Sequence, residues 1–213
     1  SQIEGAYALV ALTNKKLIGV RDPLGIRPLV LGQLDGNYIL TSETCALDII
    51  GAKFIREVEN GEIVVITDNT IESIKPFSQV KPRPCIFEYI YFSRPDSIVG
   101  GLSVYQCRKA FGKELAKESF VQADMVIPVP DSGVPAAIGY AEKSEIPFET
   151  GIIRNHYVGR TFIEPQQSIR AFSVKLKHNA NNILVDGKKV ILVDDSLVRG
   201  TTSIKIVRMM RDA

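Results

Sequence analysis

The stretch that most constrains this 213-residue chain is Val190-Ile-Leu-Val-Asp-Asp-Ser-Leu-Val-Arg-Gly-Thr-Thr-Ser203. Four apolar residues, mostly β-branched, stop abruptly at two carboxylates, and a hydroxyl and glycine loop then runs into a helical pattern opening at Thr201 or Thr202. An unbroken apolar run is the pattern of a central parallel strand covered on both faces. Asp194 and Asp195 are therefore expected at its carboxyl end, where open α/β sheets place their ligands. Two adjacent like charges repel and lose hydration unless something cationic or hydrogen-donating meets them; a divalent cation and a ribose diol both answer that need. Ser196, Leu197, Val198, Arg199, Gly200, Thr201 and Thr202 carry the chain into a helix N-terminus, whose unpaired amides and positive dipole end favour a phosphate. One loop is thus suited to hold a ribose 5-phosphate at both ends. A P-loop is excluded, because no Gly-Lys-Ser/Thr follows a glycine-rich turn.

The stretch resembles the phosphoribosyl-diphosphate (PRPP) loop of type I phosphoribosyltransferases, and most of all that of the amidophosphoribosyltransferase family, the glutamine-dependent enzymes that open purine synthesis. The resemblance implies displacement of pyrophosphate from C1 of PRPP by glutamine-derived ammonia, giving phosphoribosylamine. It assigns Asp194 and Asp195 to ribose hydroxyls and Mg2+, and residues 196–202 to the 5-phosphate. The transition state is expected to be oxocarbenium-like, as in other glycosyl transfers. The leaving group then needs charge neutralisation more than a proton.

The bulk numbers set the frame. The length allows one large domain or two modest ones with a proper core. A formal charge of +2 argues against nucleic acid and anionic membranes as partners, so any anion site must be local. Cys45, Cys85 and Cys107 are an odd number at wide spacing, with neither a disulfide framework nor a Cys-x-x-Cys metal motif. They suit a reducing compartment, and with no apolar run of membrane-spanning length and no signal-peptide pattern the expected location is the cytoplasm.

From the amino end, strand patterns at 5–12, 17–20, 29–31, 38–40 and 62–67 alternate with turns at Asn14-Lys15-Lys16, Arg21-Asp-Pro-Leu-Gly-Ile-Arg-Pro28 and Asp35-Gly36. A short helix over 43–50 is expected to be capped by Thr41 or Ser42. Read alone, this is a β-rich, mostly antiparallel layer. By resemblance, Glu4-Gly-Ala-Tyr-Ala8, Arg21-Asp-Pro-x-Gly-Ile-Arg-Pro-Leu29, Ser42-Glu-Thr-Cys-Ala-Leu47 and Gly61-Glu62 look like the second half of the family's N-terminal-nucleophile glutaminase domain. The family's nucleophilic cysteine does not align with Ser1, so the chain as given is expected to lack glutaminase activity.

Pro76, Pro82 and Pro84 among polar residues mark a boundary. The aromatic run Cys85–Ser97 after it is expected to be a packed strand, and it resembles the family's inter-domain crossing. In some members a cysteine matching Cys85 ligates an iron–sulfur cluster. The resulting division is 1–75 for a partial glutaminase domain, 76–102 for an inter-domain segment and 103–213 for a partial type I phosphoribosyltransferase domain. The fold class is α/β and α+β: a glutaminase layer followed by a Rossmann-like parallel sheet.

In the second half, Ser103 is placed to cap a helix with Val104, Cys107, Phe111 and Leu115 on one stripe. Residues 123–129 read as a buried strand ending in Pro130-Asp-Ser-Gly-Val-Pro135, with Pro135 in the first turn of the next helix and the amides of 131–134 open to an anion. In the family this loop grips pyrophosphate, which assigns Asp131, Ser132 and Gly133 to substrate and Ser132 to magnesium as well. Residues 151–153 read as a third short strand. From Arg154 to Lys177 five lysines and arginines face one acidic residue, Glu164. The string Arg154–Pro165 resembles the family's lid, with Arg154, Tyr157 and Arg160 as its catalytic residues, and closure excludes competing water. A last helix is expected to carry Ile204, Val207 and Met210 on one face.

Two rival readings remain at this point: a base-salvage phosphoribosyltransferase and a non-catalytic PRPP-binding regulator. The resemblance also implies a parent roughly twice this length, with two domains and several subunits.

Overall fold

A computed structural model describes residues 3–68, 70–155, 178–197 and 200–213, with the backbone alone at Thr201. The chain forms two compact units that divide between Tyr105 and Gln106, so residues 76–102 fall within the first.

The first unit runs β1 (Ala8–Leu12), β2 (Leu17–Arg21), β3 (Val30–Leu34), β4 (Asn37–Thr41), α1 (Thr44–Ile50), β5 (Lys53–Glu57), β6 (Ile63–Thr67) and β7 (Thr70–Ile74). A π-helical turn at Glu88–Phe92 and the two-residue strands β8 (Ile98–Val99) and β9 (Leu102–Ser103) complete it. The strands pair antiparallel into two sheets, ordered β1-β2-β6-β7 and β4-β3-β5. Leu29, Leu31, Val58, Val64 and Ile66 form one apolar cluster drawn from both sheets, while Val30 on the opposite face of β3 meets Leu47 of α1. Alternation along β3 thus serves two cores, as the two-residue period of a strand requires.

Polar groups fix the turns. Asp22 is fully buried, and its carboxylate accepts the amides of Tyr7, Leu24 and Ile26 at 3.4, 3.0 and 3.1 Å, which shapes the Pro-Leu-Gly turn around it. Glu62 is also fully buried; Arg56 grips both its oxygens at 2.7–2.8 Å, and Ser73 Oγ and the Glu59 amide donate to it as well.

Two expectations for this unit are corrected. Neither Thr41 nor Ser42 caps α1; Glu43 holds the N-cap position without a side-chain cap bond. Its carboxylate is engaged instead by the Arg94 amide and Ser97 Oγ at 2.7 and 2.8 Å. The aromatic run is no strand but winds into the π-helical turn, closed by Ser93 N donating to Glu88 O at 3.2 Å. Buried Glu88 is the reason: a charge taken out of water needs partners, and winding delivers Ser93 Oγ at 2.7 Å while Arg27 pairs with it at 3.1 Å and covers the Phe92 ring at 4.6 Å. That requirement overrides the strand propensity of aromatics.

The second unit begins in the first turn of α2 (Val104–Glu118) and continues through β10 (Met125–Pro128), α3 (Val134–Ser144), β11 (Ile152–Arg154), β12 (His178–Ala180), the short α4 (Asn182–Val185), β13 (Val190–Val193) and α5 (Thr201–Arg211). β10 and β13 pair in parallel, Met125 opposite Val190 through Pro128 opposite Val193. The fully buried strand is β10, not β13 as its unbroken apolar run suggests. Met125 and Ile127 join Ile152, Ile206 and Met210 on one face, and Val126 joins Ala116, Ala137 and Tyr140 on the other. Among the described residues β13 has a single partner strand, which leaves Val190, Ile191 and Leu192 half-buried. Residues 152–154 pair antiparallel with β12 rather than joining the parallel pair.

Two helix faces also differ from expectation. In α2 the buried stripe is Val104, Arg108, Gly112 and Ala116, while Phe111 and Leu115 are exposed. Small residues won because α2 and α3 cross at backbone distance: a Cβ on Gly112 would stand 1.9 Å from the Ala136 carbonyl, and one on Gly139 1.9 Å from that of Lys109. In α5 the buried residues are Ile206 and Met210, with Ile204 and Val207 exposed.

Candidate active site

The parallel register of β10 and β13 decides where the two suspect loops go. Pro128 lies opposite Val193, so the chain leaves both strands at the same sheet edge, the carboxyl edge where α/β ligands bind. The Val129 amide continues the ladder to the Val193 carbonyl at 2.8 Å. Gly133 then returns the first loop onto the second: a Cβ there would stand 2.4 Å from Val193 O, 2.9 Å from Val129 O and 3.2 Å from Asp194 Cα. Backbone on three sides admits no side chain, so glycine is required for the 130–135 loop to lie against the acidic one.

Of the amides expected to await an anion, two are already used. Gly133 N donates to Val129 O at 3.0 Å and Val134 N to Asp131 O at 3.3 Å. Among the described residues those of Asp131 and Ser132 donate to no protein group. Pro135 stands in the first turn of α3, where its missing N–H costs nothing.

Across from them, the Asp195 amide donates to Asp194 Oδ1 at 2.9 Å, and Ser196 Oγ lies 3.4 Å from Asp195 Oδ2. Burial pushes the Asp194 carboxyl up to about 6, helped by its side-chain hydrogen bond to Asp195 and by that residue's charge, against the pull of the Asp195 amide. A carboxylate in that condition gains from a cation. Among the described residues no three His, Cys, Asp or Glu groups converge. Magnesium suits this donor set only with substrate and water oxygens completing its shell, which is how it is usually held. Gly200 occupies the N-cap of α5 in the left-handed region, at φ 70°, and the amides of the first turn beyond it have no intrahelical acceptors.

Arg154, assigned to the lid by resemblance, is the last residue of β11, and its guanidinium pairs with the Asp131 carboxylate. Opposite it in the β11–β12 ladder stands His178, whose Nε2 lies 3.3 Å from the Pro130 carbonyl. Sequence reasoning passed over His178; nothing in Lys177-His-Asn-Ala180 announces it, because its partner lies 48 residues away. Tyr157 and Arg160 of the lid lie outside the described residues, as do Val198 and Arg199 of the acidic loop. Leu197 is exposed at 74%. Cys85, in the first unit, is a half-buried free thiol.

The phosphoribosyl transferase domain family matches residues 103–213. The amidophosphoribosyltransferase of Rhizobium etli is 63% identical over the whole chain, which spans 44% of that protein, and that of Archaeoglobus fulgidus is 52% identical over 98% of the chain, spanning 46% of it. A solved glutamine PRPP amidotransferase from B. subtilis, complexed with ADP and GMP, superposes with a TM-score of 0.90 at 50% identity, covering 98% of this chain and 46% of that one. The chain therefore spans less than half the length of these relatives.

Proposed function

The chain belongs to the phosphoribosyl transferase family, and from that premise we propose that it carries the PRPP-binding part of an amidophosphoribosyltransferase, forming phosphoribosylamine from PRPP and glutamine-derived ammonia in the first step of purine synthesis. The observation that carries this reading is the meeting of two loops at one sheet edge, with the Asp131 and Ser132 amides, which donate to no described residue, on one side and the Asp194–Asp195 pair leading to a helix N-terminus on the other. A ligand bearing phosphate at both ends of a diol-rich sugar matches that sequence of groups. Pyrophosphate goes to the amides of Asp131 and Ser132, with Ser132 near Mg2+; the ribose hydroxyls and Mg2+ go to Asp194 and Asp195; the 5-phosphate goes to residues 196–202.

Asp194, Asp195 and Ser132 would hold Mg2+, which would supply charge neutralisation for the departing diphosphate, and the chain's own contribution is to orient the sugar and meet charge with preorganised donors. Arg154, Tyr157 and Arg160 belong to the lid in this reading, and Gly133 keeps the two loops in contact. Similarity to amidophosphoribosyltransferases over residues 1–102 as well as 103–213 favours it over a base-salvage enzyme. In this reading residues 1–75 are the glutaminase layer, the assembly has several subunits and the location is the cytoplasm. Among the described residues no helix is long and apolar enough to cross a membrane. Cys85 is the position at which an iron–sulfur ligand would stand.

The test is pyrophosphate release from PRPP with ammonium chloride and Mg2+ by the natural polypeptide that carries this sequence. Activity is expected, and the Asp194→Ala/Asp195→Ala double variant is expected to lose at least ~100-fold, as removal of preorganised charge stabilisation does. Tight PRPP binding without turnover would make the protein a regulator instead.

A further inference from the structure

The loop that would take the diphosphate is pinned from two directions. β13 holds its ends, through Val129 N on Val193 O at 2.8 Å and through Gly133 seated on the same carbonyl. The antiparallel pair β11 and β12 holds its middle: Arg154 pairs with the Asp131 carboxylate, and His178, directly opposite Arg154 in the ladder, reaches the Pro130 carbonyl at 3.3 Å. A carbonyl oxygen only accepts, so Nε2 of His178 carries the hydrogen. The two tethers fall on consecutive residues, immediately beside the amides of Asp131 and Ser132, which donate to no other described group.

We propose that His178 is a positioning residue for leaving-group binding, holding the Pro130 carbonyl so that the Asp131 and Ser132 amides stay open to a diphosphate. This rests on the PRPP reading above and adds to it a residue that does not itself touch the ligand. Arg154 cannot do this alone. Its side chain is 36% exposed and Asp131 is 59% exposed, so the pair is free to part when a polyanion competes for the guanidinium. The contact of His178 is part-buried and ends on the backbone itself, so it fixes the Pro130 carbonyl whether or not the exposed ion pair is closed.

The experiment measures the affinities of Mg2+-pyrophosphate and of ribose 5-phosphate separately, by calorimetry, on the natural polypeptide carrying this sequence, with wild type, His178→Ala and His178→Gln. Glutamine presents an N–H near the place of Nε2. His178→Ala is expected to weaken pyrophosphate roughly threefold to tenfold, the size of one lost hydrogen bond. Ribose 5-phosphate, which bypasses the 130–135 loop, should bind unchanged, and His178→Gln should recover most of the loss. Unchanged pyrophosphate binding by His178→Ala, or an equal loss for both ligands, overturns the positioning role while the PRPP reading stands. Failure of wild type to bind either ligand overturns both.

Discussion

Asp194 concentrates the residue-scale physics. Its carboxyl is raised to about 6, first by burial and then by the side-chain hydrogen bond and charge of Asp195. Asparagine at 195 removes the charge and leaves the burial, so Asp195→Asn should lower the Asp194 midpoint without returning it to the ordinary 3.8. Carbon-13 NMR titration of the aspartate carboxyls reads this directly, and a midpoint that stays near 6 would assign the whole shift to burial. Proton and cation compete for the same oxygens, so Mg2+-PRPP affinity should decline as pH falls below about 6 in wild type and at a lower pH in the variant. The adjacency of the two acids was legible in sequence, because like charges in one loop demand a partner. The state of Asp194 was not, since it depends on how far the surrounding fold removes water. His178 and the spent amides of Gly133 and Val134 were hidden for the related reason that their partners are set by tertiary contact.

At the scale of elements, α2 and α3 show where pattern reading works and where it stops. The apolar period placed a helix over the right residues but chose the wrong face, taking Phe111 and Leu115 for core. Large apolar residues at helical spacing usually are core. Here the helices approach so closely that only Gly112 and Gly139 fit between the backbones, each facing the other helix's carbonyl. Glu142 of α3 pairs with Lys109 and Lys113 of α2 beside the crossing. Carbonyls cannot rotate aside as side-chain ends can, so Gly112→Ala must push the helices apart, at a cost of about 1–3 kcal/mol. Phe111→Ser in this 213-residue chain, at a position 42% exposed, should stay within ~0.5 kcal/mol. Urea midpoints for the two variants, compared at constant slope, decide the matter; the reverse order of costs would restore the stripe expected from sequence. The same tension explains β13, whose unbroken apolar run reads as the most buried strand although β10, flanked by α2 and α3 on one face and α5 on the other, is the one enclosed.

Across the whole molecule the two units rest on different chemistry, and acid should separate them. The first unit encloses Glu62. Burial works against its charge, but the hydrogen bonds from Arg56, Ser73 and the Glu59 amide outweigh that and hold its pKa at about 2, below its ordinary 4.5. A depressed carboxyl contributes stability that is complete above 4.5 and is lost as pH falls toward 2, because the unfolded chain then takes up the proton more readily. That contribution is of the order of 3 kcal/mol. In the second unit Asp194 has the opposite sign. Its raised pKa means that the folded state binds the proton first, so lowering the pH from about 6 toward 4 adds to stability. Between pH 6 and 4.5, hydrogen-exchange protection should therefore rise in β10 and β13 and hold level in β6. Below 4.5 it should collapse in β6 first. Replacing Glu62 by Gln should flatten the acid limb of β6 and lower its protection at pH 7, since an amide cannot match the doubly gripped carboxylate, while leaving β10 alone. Parallel loss of protection in β6 and β10 across the whole range would mean that the units unfold as one and that neither carboxyl governs its own.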